Sequence, residues 1–260
     1  MTLELVQFRH SPYNEKVRWA LDLKHVPHVR RRVLPGPHVP AVKKLTGRTG
    51  TPVLVSDGQA MDGSARLLEW LEARYPSPPL FPADPAQRTE AMRIQAWFDD
   101  DLTPRIRRLV LDTLLREPDY FARVFGDGAP RLQQVLYAMI VPLAAPIVRK
   151  GNGITGAASV ADGTAALDEA FAFAAERSAA TGYLVGGAFS IADLSVASTL
   201  ATVARPPDSP MAAPQPVAPR YRALVERYAS HPGTQWTLRI YAKHRGARAD
   251  FDGPSPGAGA

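Results

Sequence analysis

The chain has 260 residues, of which 45% are hydrophobic and 22% are charged, and its formal net charge is +6. This length and composition are typical of a soluble globular protein with one large or two modest domains. The sequence contains no cysteine, which excludes disulfides and every mechanism in which the protein itself supplies a thiol.

Several other classes of protein are disfavoured by the same sequence. The basic residues are scattered and form no stripe interleaved with aromatics, so we expect no nucleic-acid partner, and the charge suits small anionic substrates. The histidines form no ligand-spaced cluster, so we predict no metal site. The N-terminus lacks the pattern of a secretory signal. The longest apolar run, 132–148, contains Pro142 and Pro146, which predicts a kinked buried helix rather than a membrane span.

The first part of the chain alternates between strand and helix patterns. Periodicity predicts, in order, a strand at 3–8, a helix at 12–24, a strand at 28–33, a short helix at 39–45, a strand from 52, its hairpin partner at 59–61 and a helix at 65–75. Ser11 before Pro12 has the form of an N-cap followed by proline in the first helical position. The βαβαββα order predicts a compact three-layer α/β domain.

The stretch from Thr51 to Ser64 predicts a binding site. A proline cannot donate to a sheet ladder, so we place Pro52 at the start of a strand and predict a cis Thr51–Pro52 bond, which leaves the backbone of Thr51 free. Asp57-Gly58 is a hairpin signal. Ser64 begins a helix and offers a hydroxyl and backbone N–H groups to a carboxylate. This arrangement suits a peptide-like anion.

The second part of the chain is helical in pattern. We divide the chain into an α/β domain at 1–76, a Pro-rich linker at 77–85, an all-helical domain at 86–245 and a flexible tail at 246–260. Helices are predicted at 86–116 with a bend at Pro104, and then at 132–149, 157–180, 191–204, 221–227 and 233–243. Ser190 and Asp193 form a capping box, which we interpret as structural.

Four motifs in this order carry a resemblance to a known family. SPYNEKVRWALD, TGTPVLVSDG, GSARLLEWLEARYP and FSIADLSVAS together resemble the soluble, cytosolic-type glutathione transferases, with a serine in the active site. The resemblance implies a thioredoxin-like glutathione-binding domain and an all-helical domain that completes a pocket for a hydrophobic electrophile. It also implies a cytoplasmic homodimer that acts in detoxification. The region 117–152 is longer than in compact members of the family.

The resemblance implies a glutathione transferase that uses glutathione as co-substrate and activates its thiolate for attack on hydrophobic electrophiles. A related enzyme would use glutathione for isomerisation, peroxide reduction or ether cleavage. A different class is a catalytically silent ligand-binding or assembly protein with the same fold. The absence of cysteine argues against disulfide or dehydroascorbate reduction, which need an enzyme thiol.

Ser11 is the main candidate for the catalytic residue. A hydroxyl that donates to the glutathione thiolate would lower its pKa by about one to two units, and the start of a helix adds to this effect. In serine-type members the catalytic hydroxyl similarly precedes a Pro-aromatic pair, as Ser11 precedes Pro12-Tyr13. The alternative is that Ser11 simply caps its helix. Tyr13, which could be an ordinary packing aromatic, and Asn14 are the other candidates.

The resemblance also implies the residues that bind glutathione. Thr51, beside cis Pro52, would offer its backbone to the cysteinyl part, and Ser64 would take the γ-glutamyl carboxylate unless it is a plain helix cap. An acidic residue commonly stands directly before this serine, but here the position is Gly63, with Asp62 one step earlier. Asp62 could still reach the γ-glutamyl amine.

The remaining candidates are individually weaker. His38 could face the glycine carboxylate of glutathione, as could Arg9, His10 or Lys43-Lys44, although solvated charge is the simpler interpretation of each. One carboxylate of 99–101 could reach the ligand's amino group across a dimer interface, or this run could be a solvated acidic face.

Overall fold

The structure, a computed structural model, describes residues 3–126, 130–207 and 209–251. The strands are β1 (Leu3–Gln7), β2 (His28–Arg32), β3 (Val53–Ser56), β4 (Gln59–Asp62) and β5 (Asp250–Phe251). The helices are α1 (Pro12–Leu23), α2 (Val39–Thr46), α3 (Ser64–Arg74), α4 (Pro85–Trp97), α5 (Thr103–Leu115), α6 (Pro118–Gly126), α7 (Arg131–Gly151), α8 (Ala157–Ser178), α9 (Ile191–Ala204), α10 (Pro219–Tyr228) and α11 (Pro232–His244).

Strand β1 lies at the centre of a sheet whose strand order is β4-β3-β1-β2-β5. It pairs in parallel with β2, which requires a crossover that α1 supplies, and antiparallel with β3. Asp57 and Gly58 both have positive φ, as a tight hairpin turn requires, and they join β3 to β4. The predicted βαβαββα domain, thioredoxin-like in topology and followed by an all-helical part, is therefore confirmed.

The sequence predicts a flexible tail from residue 246, but two residues of that segment form the fifth strand. Asp250–Phe251 pairs in parallel with His28 and Val29 of β2, and the backbone N–H of Ala249 donates to the Asp22 carboxylate at 2.8 Å. Two residues are too few to show a strand period, so only the pairing with β2 reveals this strand. The rest of the predicted tail, 252–260, lies outside the described residues.

The segment between α3 and α4 is packed against the protein. Leu80 and Phe81 are buried, and their backbone N–H groups donate to the Glu72 carboxylate at 3.1 and 3.3 Å. The Leu80 carbonyl accepts from the N–H of Ile191 at 2.8 Å. The Pro-rich segment thus fixes the α/β part against the start of α9.

The helix predicted at 86–116 is divided by a π-helical turn at Phe98–Leu102. The backbone N–H of Thr103 bonds to the Phe98 carbonyl, and Pro104 follows in the first turn of α5. Proline has no N–H for the usual helical bond to the residue four positions before it. The sequence predicts a bend at Pro104, whereas the interruption in the structure is the widened turn over the five residues before Thr103.

Helix α6 was not predicted, and the prediction that 132–148 is buried is wrong. Tyr137 and Val141 are the buried residues of α7, and only 11% of its most apolar stretch is buried. In the described part of the chain, α7 is the one helix that is long and apolar enough to cross a membrane by length and composition. Hydropathy reports how apolar a segment is but not what covers it. It therefore could not distinguish a buried apolar helix from an exposed one.

Helix α1 joins the two parts of the molecule. It packs against α9, and on α11 the Trp19 ring meets the Tyr241 ring at 4.4 Å between centroids. Trp19 also donates its indole N–H to the His244 carbonyl at 2.9 Å. Glu15 is fully buried and accepts from Arg18 at 2.6 Å and from Arg245 at 2.8 Å. One hydrophobic core therefore extends through both parts.

The predicted capping box at the start of α9 is confirmed. The Ser190 hydroxyl accepts from the N–H of Ala192 at 3.3 Å, and the Asp193 carboxylate accepts from the N–H of Ser190 at 2.9 Å. Asp193 also accepts from the N–H of Leu184 at 2.8 Å. This carboxylate fixes both the helix start and the preceding loop.

Candidate active site

Ser11 lies where β1 ends and α1 begins, and its side chain does not cap the helix. The residue is extended, with φ −141°, and its hydroxyl makes no capping hydrogen bond. Its carbonyl accepts the first helical bond, from the N–H of Glu15 at 2.8 Å, while Pro12 has no N–H to be capped. Ser11 lines a cavity of about 400 Å³, called here the inner cavity. Ser11 therefore borders this cavity with a hydroxyl that makes no capping bond.

Tyr13 and Asn14 both form hydrogen bonds within the protein. The Tyr13 hydroxyl donates to the Asp99 carbonyl at 2.7 Å, and burial raises the pKa of this phenol above its ordinary value. The Asn14 amide donates to the Thr51 hydroxyl at 3.0 Å, while its Oδ1 is buried without a hydrogen-bond partner. These contacts favour positioning roles for both residues.

Thr51, Pro52 and Ser64 meet in a second depression of about 480 Å³, called here the polar groove. The Thr51–Pro52 bond is cis, as predicted. Ser64 is the first residue of α3, as predicted, so N–H groups of a helix start lie beside its hydroxyl. Tyr13 and Thr51 line both the polar groove and the inner cavity, which makes the two depressions neighbours.

Asp62 and Gly63 also line the polar groove. Gly63 has φ +87°, a conformation that side-chain-bearing residues rarely adopt. This backbone geometry accounts for glycine directly before Ser64. Asp62 forms ion pairs with Arg66 at 3.0 Å and with Arg48 at 3.9 Å, so its carboxylate is held at the edge of the groove.

The acidic run 99–101 contributes to the same groove within one chain. Asp99 and Asp100 line it, and the Asp99 carboxylate accepts from the ammonium of buried Lys16. Burial lowers the pKa of Lys16, and Asp99 opposes that shift. Asp99 is therefore not part of a solvated acidic face, which was one interpretation of the run. The π-helical turn directs Asp99 toward α1.

His38 lies in the inner cavity and not in the polar groove. Its Nε2 is 2.9 Å from the Thr49 carbonyl, and its ring meets that of Phe8 edge to face at 4.7 Å between centroids. Burial lowers the pKa of His38, which favours the neutral ring. These contacts tie α2 to the loop before Thr51.

The inner cavity combines an apolar wall with cationic groups. One face of α5 lines it at positions 103, 106, 107, 110, 111 and 114, which follows the helical repeat. Phe121 and Phe125 of α6 line it as well, whereas Trp97 and Phe98 pack against Phe173. Arg107 lies on this face of α5 among apolar residues and lines the cavity with them.

Arg205 and His10 lie in the same cavity. Nη2 of Arg205 is 3.4 Å from Nδ1 of His10, and the guanidinium lies over the Tyr221 ring at 5.5 Å. Burial lowers the pKa of His10 well below its ordinary value, and Arg205 adds to this shift, which favours the neutral ring. Nε of Arg107, Nε of Arg205 and Nε2 of His10 are buried without hydrogen-bond partners. The inner cavity therefore offers positive charge to an anionic group.

Sequence reasoning missed Arg107 and Arg205 as site residues. The signal for Arg107 was a cation on an otherwise apolar helical face. Arg205 ends α9 in the left-handed conformation, with φ +50°, where glycine is the usual residue. Periodicity does not reveal this conformation, so no sequence pattern indicated that the Arg205 side chain turns into the cavity.

Comparisons with known proteins agree with this geometry. A model of the glutathione S-transferase N-terminal domain matches residues 5–79, and a model of the C-terminal domain of the same family matches residues 157–227. A solved glutathione S-transferase from Rhodospirillum rubrum F11 is similar in fold, with TM-score 0.60 and 20% identity over 94% of this chain and 89% of that one.

Two curated relatives are similar in sequence over about half of this chain. A maleylpyruvate isomerase from Ralstonia sp is 33% identical over 127 residues, which are 48% of this chain and 57% of that protein. A probable maleylacetoacetate isomerase from Caenorhabditis elegans is 29% identical over 124 residues, which are 47% of this chain and 58% of that protein. The matches thus span little more than half the length of these relatives.

Strand order, the Ser64 helix start and the two domain models point to the same conclusion. The chain belongs to the glutathione S-transferase family.

Proposed function

We propose that this protein is a glutathione-dependent isomerase of an unsaturated carboxylic acid. The observation that carries the proposal is the pair Arg107 and Arg205, which line the same inner cavity as Ser11. An apolar electrophile gains nothing from buried cations, whereas a carboxylate is stabilised by them. The names of the two isomerase relatives support the same substrate class.

In this proposal glutathione is the co-substrate and occupies the polar groove. The Thr51 backbone binds its cysteinyl part, and Ser64 with the start of α3 binds the γ-glutamyl carboxylate. The groove also holds Asp62, Asp99 and Asp100, any of which is of the correct charge for the γ-glutamyl amine. The position of these groups around one depression supports the assignment.

Ser11 then acts on the glutathione sulfur. Its hydroxyl donates to the thiolate and lowers the thiol pKa by about one to two units, because a charge-assisted hydrogen bond contributes roughly 1.5–3 kcal/mol. The positive end of α1 adds to the effect. The absence of a capping bond at Ser11 supports this role.

The chemistry balances without consumption of glutathione. The thiolate adds to one carbon of a cis double bond conjugated to a carbonyl, and the electron pair moves onto the carbonyl oxygen. The former double bond rotates, the electron pair returns, and the thiolate leaves from the trans product. Arg107 and Arg205 hold the substrate carboxylate and stabilise the transient negative charge.

The decisive experiment uses maleylpyruvate with a catalytic amount of glutathione. We expect conversion to the trans isomer, which proton NMR can monitor. The concentration of free thiol should stay unchanged. Arg107→Gln and Arg205→Gln should each lower kcat/KM by about 10- to 100-fold. Arg108→Gln is the matched control, because it is the next residue on α5 but pairs with Asp162 at 3.2 Å.

Two outcomes would contradict the proposal. Stoichiometric loss of thiol with formation of a conjugate would indicate the transferase reaction. Absence of both reactions in a protein that still binds glutathione would indicate a silent ligand-binding protein.

A further inference from the structure

Helix α7 exposes an apolar surface that the proposed activity does not use. In the described part of the chain, seven of the nine exposed large hydrophobic residues lie on this helix, and Leu143 and Ile147 are 81% and 76% exposed. We call these residues the apolar face of α7: Leu132, Val135, Leu136, Met139, Ile140, Leu143 and Ile147. Helix α7 lies outside both stretches matched by the family models. The face therefore belongs to the part of the chain between the two matched stretches.

The apolar face of α7 is wide enough to contact an extended apolar surface. Its residues follow the spacing i, i+3, i+4, i+7, i+8, i+11 and i+15, which covers an arc of about 140° at 100° per residue. The two-row seam of a paired helix is narrower. At a rise of 1.5 Å per residue, the 21 residues of α7 extend about 32 Å. A long and wide stripe of this kind is typical of helices that lie in a membrane interface.

The opposite side of α7 is fixed to the protein. The Tyr137 hydroxyl donates to the Pro35 carbonyl at 2.9 Å, Val141 is buried, and Arg149 is bonded to Asp112. Pro142 and Pro146 have no N–H, so two helix carbonyls lack their usual donors. These carbonyls need water or lipid headgroups nearby. Helix α7 is thus held so that it can lie on a bilayer but cannot span one.

The charges of α7 select the surface that it meets. Arg131 and Lys150 are exposed at its two ends, and no acidic residue occurs in 131–151. In a pair of α7 helices, a parallel arrangement would bring Lys150 to Lys150, and an antiparallel one would bring Arg131 to Lys150. Both arrangements repel, whereas anionic headgroups attract both ends.

We propose that the apolar face of α7 docks this protein on an anionic lipid bilayer. The face enters the boundary between headgroups and acyl chains, while Arg131 and Lys150 contact lipid phosphates. Because Val148 of α7 and Phe121 of α6 line the inner cavity, this docking brings the cavity close to the lipid surface. The proposal does not depend on which reaction the enzyme catalyses.

Flotation with vesicles tests the docking directly. The full chain should float with vesicles of equal parts phosphatidylglycerol and phosphatidylcholine, and more weakly with pure phosphatidylcholine. Met139→Glu with Leu143→Glu should lower the partition coefficient by more than about tenfold, and Lys150→Gln by about fivefold. Gln133→Glu is the matched control, since it adds a charge at an exposed site of the same helix without loss of an apolar group, and it should lower the partition coefficient by no more than the about fivefold expected of Lys150→Gln.

A site-specific probe gives a second readout. The chain has no cysteine, so Leu143→Cys creates one thiol for a polarity-sensitive dye, and Ala180→Cys creates one at an exposed site far along the chain. Vesicles should shift the emission of the dye at position 143 to the blue and leave the dye at position 180 unchanged.

Circular dichroism of each variant establishes that it is folded, which is expected because the altered side chains are exposed. Equal flotation of the wild type and the Met139→Glu, Leu143→Glu variant would overturn the proposal. So would a wild type that does not float but forms a dimer that the same variant dissociates, because the face would then bind a second copy of the chain.

Discussion

The Asn14 side chain donates a hydrogen bond of 3.0 Å to the Thr51 hydroxyl, and this bond joins the first turn of α1 to the loop that precedes Pro52. Asn14 is fully buried and Thr51 is partly buried, so the donor side of this bond is shielded from water. Ser11 stands at the start of α1, and Thr51 lines the polar groove. The bond thus sets the position of the candidate catalytic residue relative to the candidate glutathione site.

We expect Asn14→Ala and Thr51→Val to raise the KM for glutathione several-fold while kcat changes little, because each removes a positioning contact. The pKa of the bound thiolate should be unchanged. In a double-mutant cycle of unfolding free energy, the two changes should couple by about 1 kcal/mol. A raised thiolate pKa in Asn14→Ala would instead mean that Asn14 acts on the sulfur.

Ser11→Ala should separate activation of the thiolate from helix capping. We expect the pKa of bound glutathione to rise by about one to two units and turnover at neutral pH to fall. The free energy of unfolding should change by less than about 0.5 kcal/mol, because the hydroxyl makes no capping bond. Ultraviolet titration of the thiolate and thermal unfolding measure the two quantities.

The matched control for Ser11 is Ser190→Ala. The Ser190 hydroxyl does cap its helix, so this change should cost about 1 kcal/mol of stability and leave the thiolate pKa unaltered. An unaltered thiolate pKa in a folded Ser11→Ala protein would transfer the role to Tyr13, Asn14 or the backbone N–H groups of α1.

Glu15→Gln should destabilise the whole molecule. The carboxylate is buried between Arg18 and Arg245. Its loss leaves the buried Arg18 guanidinium without a carboxylate partner among the described residues, at a cost of about 3–5 kcal/mol, whereas Arg245 retains Asp22 at 2.8 Å. Chemical denaturation measures this cost. Glu4→Gln is the control, because the Glu4–Arg31 pair is partly exposed and should contribute less than about 1 kcal/mol.

The Glu15 carboxylate should also make the stability of the protein depend on pH. Burial alone would raise the pKa of Glu15, but Arg18 and Arg245 outweigh it and hold the pKa below the ordinary value of 4.5. The stabilisation is therefore complete above the unfolded pKa and is lost as the pH falls through the lower, folded pKa. Unfolding measured from neutral to acidic pH should show this loss in the wild type and less of it in Glu15→Gln.

Asp112→Asn should loosen α7. Asp112 of α5 accepts from Arg116 at 2.8 Å and also from Arg149 of α7. Loss of the charged bond to Arg149 should speed amide hydrogen exchange in 131–151 by roughly tenfold. Arg116→Gln removes only the bond within α5 and should leave exchange in α7 near its wild-type rate. Equal exchange in the two variants would show that Tyr137 and Val141 hold α7 without the Asp112 contact.

The order of strands and helices in the α/β part followed from local properties of the chain. Pro12 after Ser11, Asp57-Gly58 between two strands, and glycine at position 47 each restrict the backbone wherever they occur. Such restrictions act over a few residues, so they are readable without a tertiary structure. For the same reason the placement of Ser11, Thr51 and Ser64 at element boundaries was predictable.

What only the tertiary structure decided depends on contacts between distant segments. The left-handed end of α9 turns Arg205 toward His10, which is 195 positions earlier in the chain, and α5 brings Arg107 into the same cavity. The strand at Asp250–Phe251 exists because β2 offers it an edge. The exposure of α7 likewise depends on what packs against it. Composition measures how strongly a side chain avoids water, but only the assembled neighbours determine whether it meets protein, ligand or another surface.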